Sequence, residues 1–226
     1  MLAKFLAVVM LILSAGSLVL SHPATARDVD VSDATFPGCN PEQIATLQRA
    51  IAVATLFQQD AWAYFAHRTA NPAPGADLTR YTRWFGAYGP ARYTIVYNRF
   101  QRLSTYPLNS WEYSCRPVLS PGLCGPLLQF ATLAVTDSDQ LNNATLIAPV
   151  EICKAFWSRN GSDDQNGQTL FHEATHFHSR GMLGTNHAVA EDYGTEYSLA
   201  LARDAPTDAI RNADNYAYFA QYPVGP

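Results

Sequence analysis

The sequence predicts an α+β domain, mostly helical, with one small antiparallel sheet and two disulfides. Three observations lead there. Apolar residues recur at spacings of three and four over several stretches, the period of a helix with one buried face. Between residues 105 and 155 that period gives way to short β-rich runs broken by Pro, Gly and Cys. Four cysteines stand at 39, 115, 124 and 153, all beyond an N-terminal export signal.

That signal comes first in the chain. Lys4 is a short positive segment, Phe5 to Leu20 is an apolar run, and Ala24-Thr25-Ala26 is a small-residue cleavage site. This is the pattern of a secretory signal peptide over residues 1–26. The apolar run falls short of the ~20 residues of a membrane-spanning helix. The expected mature chain is one domain over residues 27–226, long enough for a sizeable core. Removal of residues 1–26 deletes Lys4 and no acid, taking the formal charge from −4 to −5. A mildly acidic chain is a poor partner for nucleic acid or an anionic membrane. In an oxidising compartment four cysteines imply two disulfides, with three pairings open. Asn143-Ala144-Thr145 and Asn160-Gly161-Ser162 are glycosylation sequons.

Residues 27–40 read as an extended arm. Pro41 to Arg68 reads as a helix, with Pro41 at its start and Ile44, Leu47, Ile51 and Ala54 on one side. A second helix is expected from Leu78 to Tyr88, stopped by Gly89-Pro90, and a third from Ala91 to Leu103. Trp111 to Cys115 alternates apolar and polar residues. Phe130 to Thr136 and Ala144 to Ile152 read as strands around a turn at Asp137-Ser138-Asp139. Ser158 to Gly167 reads as a polar loop. Helices are expected again at Glu196–Arg203 and Asp208–Phe219.

The chemistry concentrates in TLFHEATHFHSRGMLGTNHAVAEDYG, residues 169–194. His172-Glu173-Ala174-Thr175-His176 is an H-E-x-x-H. Residues four apart share a helix face, so both imidazoles can grip one zinc ion. Glu173, one step round, reaches a water on that ion and serves as general base. Three of the chain's six histidines, 172, 176 and 178, fall within seven residues. His178 is off the shared face.

A catalytic zinc takes three protein ligands and an open position. The metzincin continuation fails, because Ser179 and Met182 stand where its Gly and His belong. Glu196, about twenty residues on, is the ligand a glutamate-class peptidase would use. Asp192, in Glu191-Asp192-Tyr193-Gly194, is the aspartate alternative.

H-E-x-x-H-F, Gly184-Thr185, Asp192 and Tyr193-Gly194 together resemble the aspzincins, the family of deuterolysins and peptidyl-Lys metalloendopeptidases. Arg80–Arg102, Glu112–Cys115, Ile152–Trp157 and Asn212–Phe219 resemble the peptidyl-Lys branch, so the likeness runs roughly from Cys39 to Ala220. It implies a zincin-like fold and a secreted, fungal-type zinc endopeptidase acting as a monomer on protein or peptide substrates. It implies His172 and His176 as ligands, Glu173 as base and Tyr193 as hydrogen-bond donor to the oxyanion. It pairs Cys39 with Cys115 and Cys124 with Cys153.

The chain departs from the family pattern twice. The ligand Asp should stand three before Tyr193, where Ala190 stands; counted from Thr185 its place falls on His187. Asp192 is the favoured third ligand, and His187 the alternative. In the lysine-specific branch an Asp and a Glu three residues later receive the substrate ammonium. Asp214 matches the first as a substrate-binding residue, while Ala217 replaces the second. Endopeptidase activity, with lysine on the C-side of the cut, is the leading reading. The alternative is a secreted zinc-binding protein or antigen on a peptidase scaffold, without hydrolysis.

Overall fold

A computed structural model describes residues 25–72, 76–115, 124, 134–136, 149–176, 185 and 193–223. Helix α1 (Pro41–Ala66) is the longest element. Asn40 caps it, accepting from the Gln43 amide while the Gln43 side chain returns to the Asn40 amide, and Pro41 occupies the first turn. Helix α2 (Thr79–Phe85) ends three residues earlier than its sequence suggests. Gly86 takes φ +77° there, and a Cβ on it would meet the Ala202 carbonyl oxygen at 2.3 Å. Helix α3 (Pro90–Leu103) follows.

The sheet corrects the antiparallel expectation. Strands β1 (Glu112–Ser114), β2 (Ala134–Thr136) and β3 (Pro149–Ile152) stand in the order β1-β3-β2. β2 pairs antiparallel with β3, but β1 pairs with β3 in parallel, Tyr113 opposite Val150. Parallel neighbours need a connection of a dozen residues or more, and residues 115–148 are long enough to make it. A parallel bridge from Thr35 to Glu112 sets part of the N-terminal arm beside β1. Disulfides join Cys39 to Cys115 and Cys124 to Cys153. The expected turn at Asp137–Asp139 lies outside the described residues.

After β3 come α4 (Lys154–Ser158), unanticipated, and α5 (Asp163–Thr175). The expected polar loop is therefore half helix. Its signal is Ser162 with Gln165 three residues on, a reciprocal cap. The C-terminal part holds α6 (Thr195–Asp204), the single turn α7 (Pro206–Ala209) and α8 (Ala213–Gln221). The expected helix from Asp208 is thus broken in two, around Ile210 to Asn212. No helix among the described residues is long and apolar enough to cross a membrane.

The core is an aromatic cluster. Phe65 of α1 stacks on Phe100 of α3 and on Phe219 of α8, at centroid distances of 5.1 and 5.4 Å. Phe85, Tyr216, Tyr81 and Tyr93 extend it. Helix α5 packs along α1, and Gly167 permits the close approach: a Cβ there would lie 2.6 Å from Val53 Cγ1 and 3.1 Å from the Ala50 carbonyl oxygen. Asn215 of α8 is fully buried. Its amide donates to the carbonyl oxygens of Trp84 and Ser198, tying α8 to α2 and α6. These contacts fix the C-terminal end of α5 against the first turn of α8, where the candidate site lies.

Candidate metal centre

The H-E-x-x-H residues occupy the last turn of α5. Leu170, Phe171 and Ala174 are buried in the core and set the helix's rotation. His172 and Glu173 are themselves buried, at 6% and 7% exposure. The helix ends at Thr175, with His176 as its C-cap in right-handed helical conformation. The spacing of four therefore survives the helix end.

The two imidazoles converge. His172 Nε2 and His176 Nε2 lie 3.2 Å apart, and the rings cross at 76°. Two nitrogens on one tetrahedral zinc, each about 2.0–2.1 Å from it, would be separated by about 3.3 Å. Each far-side nitrogen has its own acceptor. His172 Nδ1 donates to Asp214 Oδ1 at 2.5 Å, and His176 Nδ1 donates to the Thr185 carbonyl oxygen at 3.1 Å. A carbonyl oxygen can only accept, so the hydrogen of neutral His176 sits on Nδ1 and its Nε2 presents a lone pair. A neutral His172 bonded to the carboxylate presents one too. Two lone pairs facing each other at 3.2 Å need a cation or a shared proton between them. The donor set thus fits zinc.

Electrostatics agree. Burial works against the charged form of His172, but the hydrogen bond and the negative charge of Asp214, aided by Glu173, outweigh it and raise the imidazole's pKa.

Thr185 closes the end of the helix, a contribution the sequence reading missed. Its amide donates to the Thr175 carbonyl oxygen at 2.9 Å, and the two hydroxyls meet at 2.7 Å. Thr175 Oγ1 also donates to the His172 carbonyl oxygen. The only hint was Gly184-Thr185 in the family resemblance.

Tyr193 stacks on His172, centroids 6.0 Å apart and planes 19° apart. Although 59% of the residue is exposed, its phenol pKa is raised, first by partial burial, then by the charges of Glu173 and Asp214. It is a protonated hydrogen-bond donor at neutral pH.

Asp214, anticipated as a substrate contact, is turned inward at 3% exposure. Oδ1 accepts from His172, and Oδ2 accepts from the Gly194 amide at 2.6 Å. Ala217, at the position of the branch's second carboxylate, is fully buried in the core. Glu196 is exposed in the first turn of α6. No group of three metal-binding side chains forms among the described residues, so Glu196 does not join the histidine pair. Asp192, His187 and His178 lie outside the described residues.

A converging pair of imidazoles, one buried and one half-buried, with a carboxylate beside the first is the arrangement of a metal-dependent hydrolase. The particular family follows from comparison: the sequence profile of the lysine-specific metallo-endopeptidases matches residues 70–221, and the chain belongs to that family. Two curated relatives named peptidyl-Lys metalloendopeptidase, from Armillaria mellea and Pleurotus ostreatus, are each 31% identical over 83% of this chain. The match spans 96% of the Pleurotus protein but 46% of the Armillaria one, so the chain is about half the length of some relatives it matches. An extracellular protease from Aeromonas hydrophila is 28% identical over 90% of the chain and 52% of its own length. The solved structure of a zinc peptidase from Grifola frondosa superposes with a TM-score of 0.61 at 24% identity, covering 82% of this chain and 98% of that one. Its fold is shared.

Proposed function

We propose that this chain is a secreted zinc endopeptidase of zincin-like architecture, exported by the signal peptide over residues 1–26 and acting on proteins or peptides. The observation that carries the reading is the 3.2 Å approach of two Nε2 atoms whose rings are each anchored at Nδ1. His172 and His176 would hold the ion, with Asp192 as third ligand. A bound zinc supplies Lewis acidity at the scissile carbonyl and a more acidic water.

The chain's own residues do the rest. Glu173 takes the proton from the attacking water and delivers it to the leaving amine. Its burial keeps the carboxylate beside the reacting atoms and away from competing solvent. Tyr193 donates its phenolic hydrogen to the oxyanion as the carbonyl carbon becomes tetrahedral.

Lysine on the C-side of the cut is the preference that the relatives' names carry, and it is proposed here too. Asp214 already accepts one bond on each oxygen, and Ala217, at the position of the branch's second carboxylate, is buried in the core.

The test is cleavage of a denatured protein by the purified chain, with chelator and zinc add-back, and the cut sites mapped. Chelator-sensitive cuts are expected, grouped on the N-side of lysine. A folded, zinc-loaded chain that cuts nothing would leave a metal-binding protein on a peptidase scaffold and overturn the reading.

A further inference from the structure

Asp214 is a buried carboxylate beside the histidine pair. It is 3% exposed, and each of its oxygens is aimed at a different part of the candidate centre. Oδ1 receives the Nδ1 hydrogen of His172 at 2.5 Å. Oδ2 receives the amide of Gly194 at 2.6 Å. Gly194 adopts φ +100° and directly follows Tyr193, whose ring lies nearly parallel to that of His172. One carboxylate therefore grips a metal-ligand ring with one hand and the backbone next to the phenol with the other.

We infer that Asp214 is a positioning residue, which orients His172 toward the metal and fixes the segment bearing Tyr193, and is not a contact for the substrate lysine. The inference rests on the zinc reading above. Its physical basis is general. A carboxylate on the far nitrogen fixes the tautomer and ring orientation of a ligand histidine and increases its basicity. A single-point anchor would do this for the ring alone. The second bond adds a fixed distance between ligand and phenol, two groups that act on the same carbonyl.

The sequence context supports the assignment. Asp214 sits in the first turn of α8, between Asn212, which donates to Asn215, and Asn215 itself, which binds α2 and α6. Asn215 thereby ties the turn to two other helices. A carboxylate delivered by such a turn is placed for a fixed internal partner, whereas a pocket residue must remain solvent-facing to meet an incoming ammonium.

The experiment compares wild type, Asp214→Asn and Asp214→Ala. Zinc affinity is read at neutral pH by competition with a chromophoric chelator, and folding is checked by circular dichroism. Both variants should bind zinc about 10–100-fold more weakly than wild type. Cleavage under saturating zinc should lose kcat more than it raises KM, equally for lysine and non-lysine sites. Unchanged zinc affinity, with loss confined to cuts at lysine, overturns the proposal and returns Asp214 to the substrate pocket. A wild-type chain that binds no zinc sinks the zinc reading itself, a different result. Should neither variant fold, nitrogen-15 NMR of zinc-loaded wild type decides. A far-downfield, slowly exchanging hydrogen on His172 Nδ1 is expected, and its absence overturns the assignment.

Discussion

Two buried regions of the molecule solve opposite problems. Around Phe65, Phe100 and Phe219 the interior is held by undirected contact among rings. Where the C-terminal end of α5 meets the first turn of α8, His172, Glu173, Thr175, Thr185 and Asp214 are buried too, but polar. Burial of such groups is costly unless each is bonded, and here the bonds are directed: nitrogen to carboxylate, nitrogen to carbonyl, hydroxyl to hydroxyl. The aromatic region tolerates changes that conserve volume. The polar region tolerates few, because each group has a specific partner. Stability is concentrated in the ring cluster and chemistry in the polar one, and α8 contributes to both through Phe219 and Asp214.

The sharpest separation should come from Glu173→Gln. Loss of the base should lower kcat by about 10²–10⁴-fold, with zinc affinity and unfolding free energy near wild type. An equal loss of stability would erase the division. Phe65→Ala should do the reverse. Truncating this fully buried ring should cost about 3–5 kcal/mol in urea unfolding, while the fraction still folded binds zinc as before. Gly167→Ala tests the seam. Its new methyl group meets Val53 and the α1 backbone, so a loss of about 1–3 kcal/mol is expected, with a measurable shift in cleavage rate as α5 moves. Arg49→Ala is the control. It removes an exposed pair with Asp163 in the first turn of α5, and the change should stay within about 1 kcal/mol.

Which parts were readable from sequence follows the same division. The aromatic region was written in periodicity: Leu47, Ile51 and Ala54 of α1 and Val96 and Phe100 of α3 are buried as their spacing implies. The histidine pair was written in a motif whose spacing is itself helical geometry. The inward turn of Asp214 was not legible. In one dimension an Asp in a helix's first turn is a good surface residue, favoured by the helix dipole, and only the packing of α8 against α5 buries it. The parallel pairing of β1 with β3 was equally hidden, since pattern alone does not set strand direction. The start of α5 was legible and passed over: Ser162 and Gln165 form a capping pair, masked by a run of polar residues that reads as loop.

Because α8 carries Asp214 in its first turn and Phe219 one turn and a half later, occupancy of the centre and integrity of the interior are thermodynamically linked. A ligand bound only by the native state adds RT ln(1 + [L]/Kd) to its stability, about 2.7 kcal/mol at a hundred times Kd. Heat resistance of this chain is thus a property of its surroundings as much as of its sequence. In a zinc-poor medium the same molecule should melt earlier, and melting curves recorded across buffered free-zinc concentrations would trace a binding isotherm without any substrate being cut.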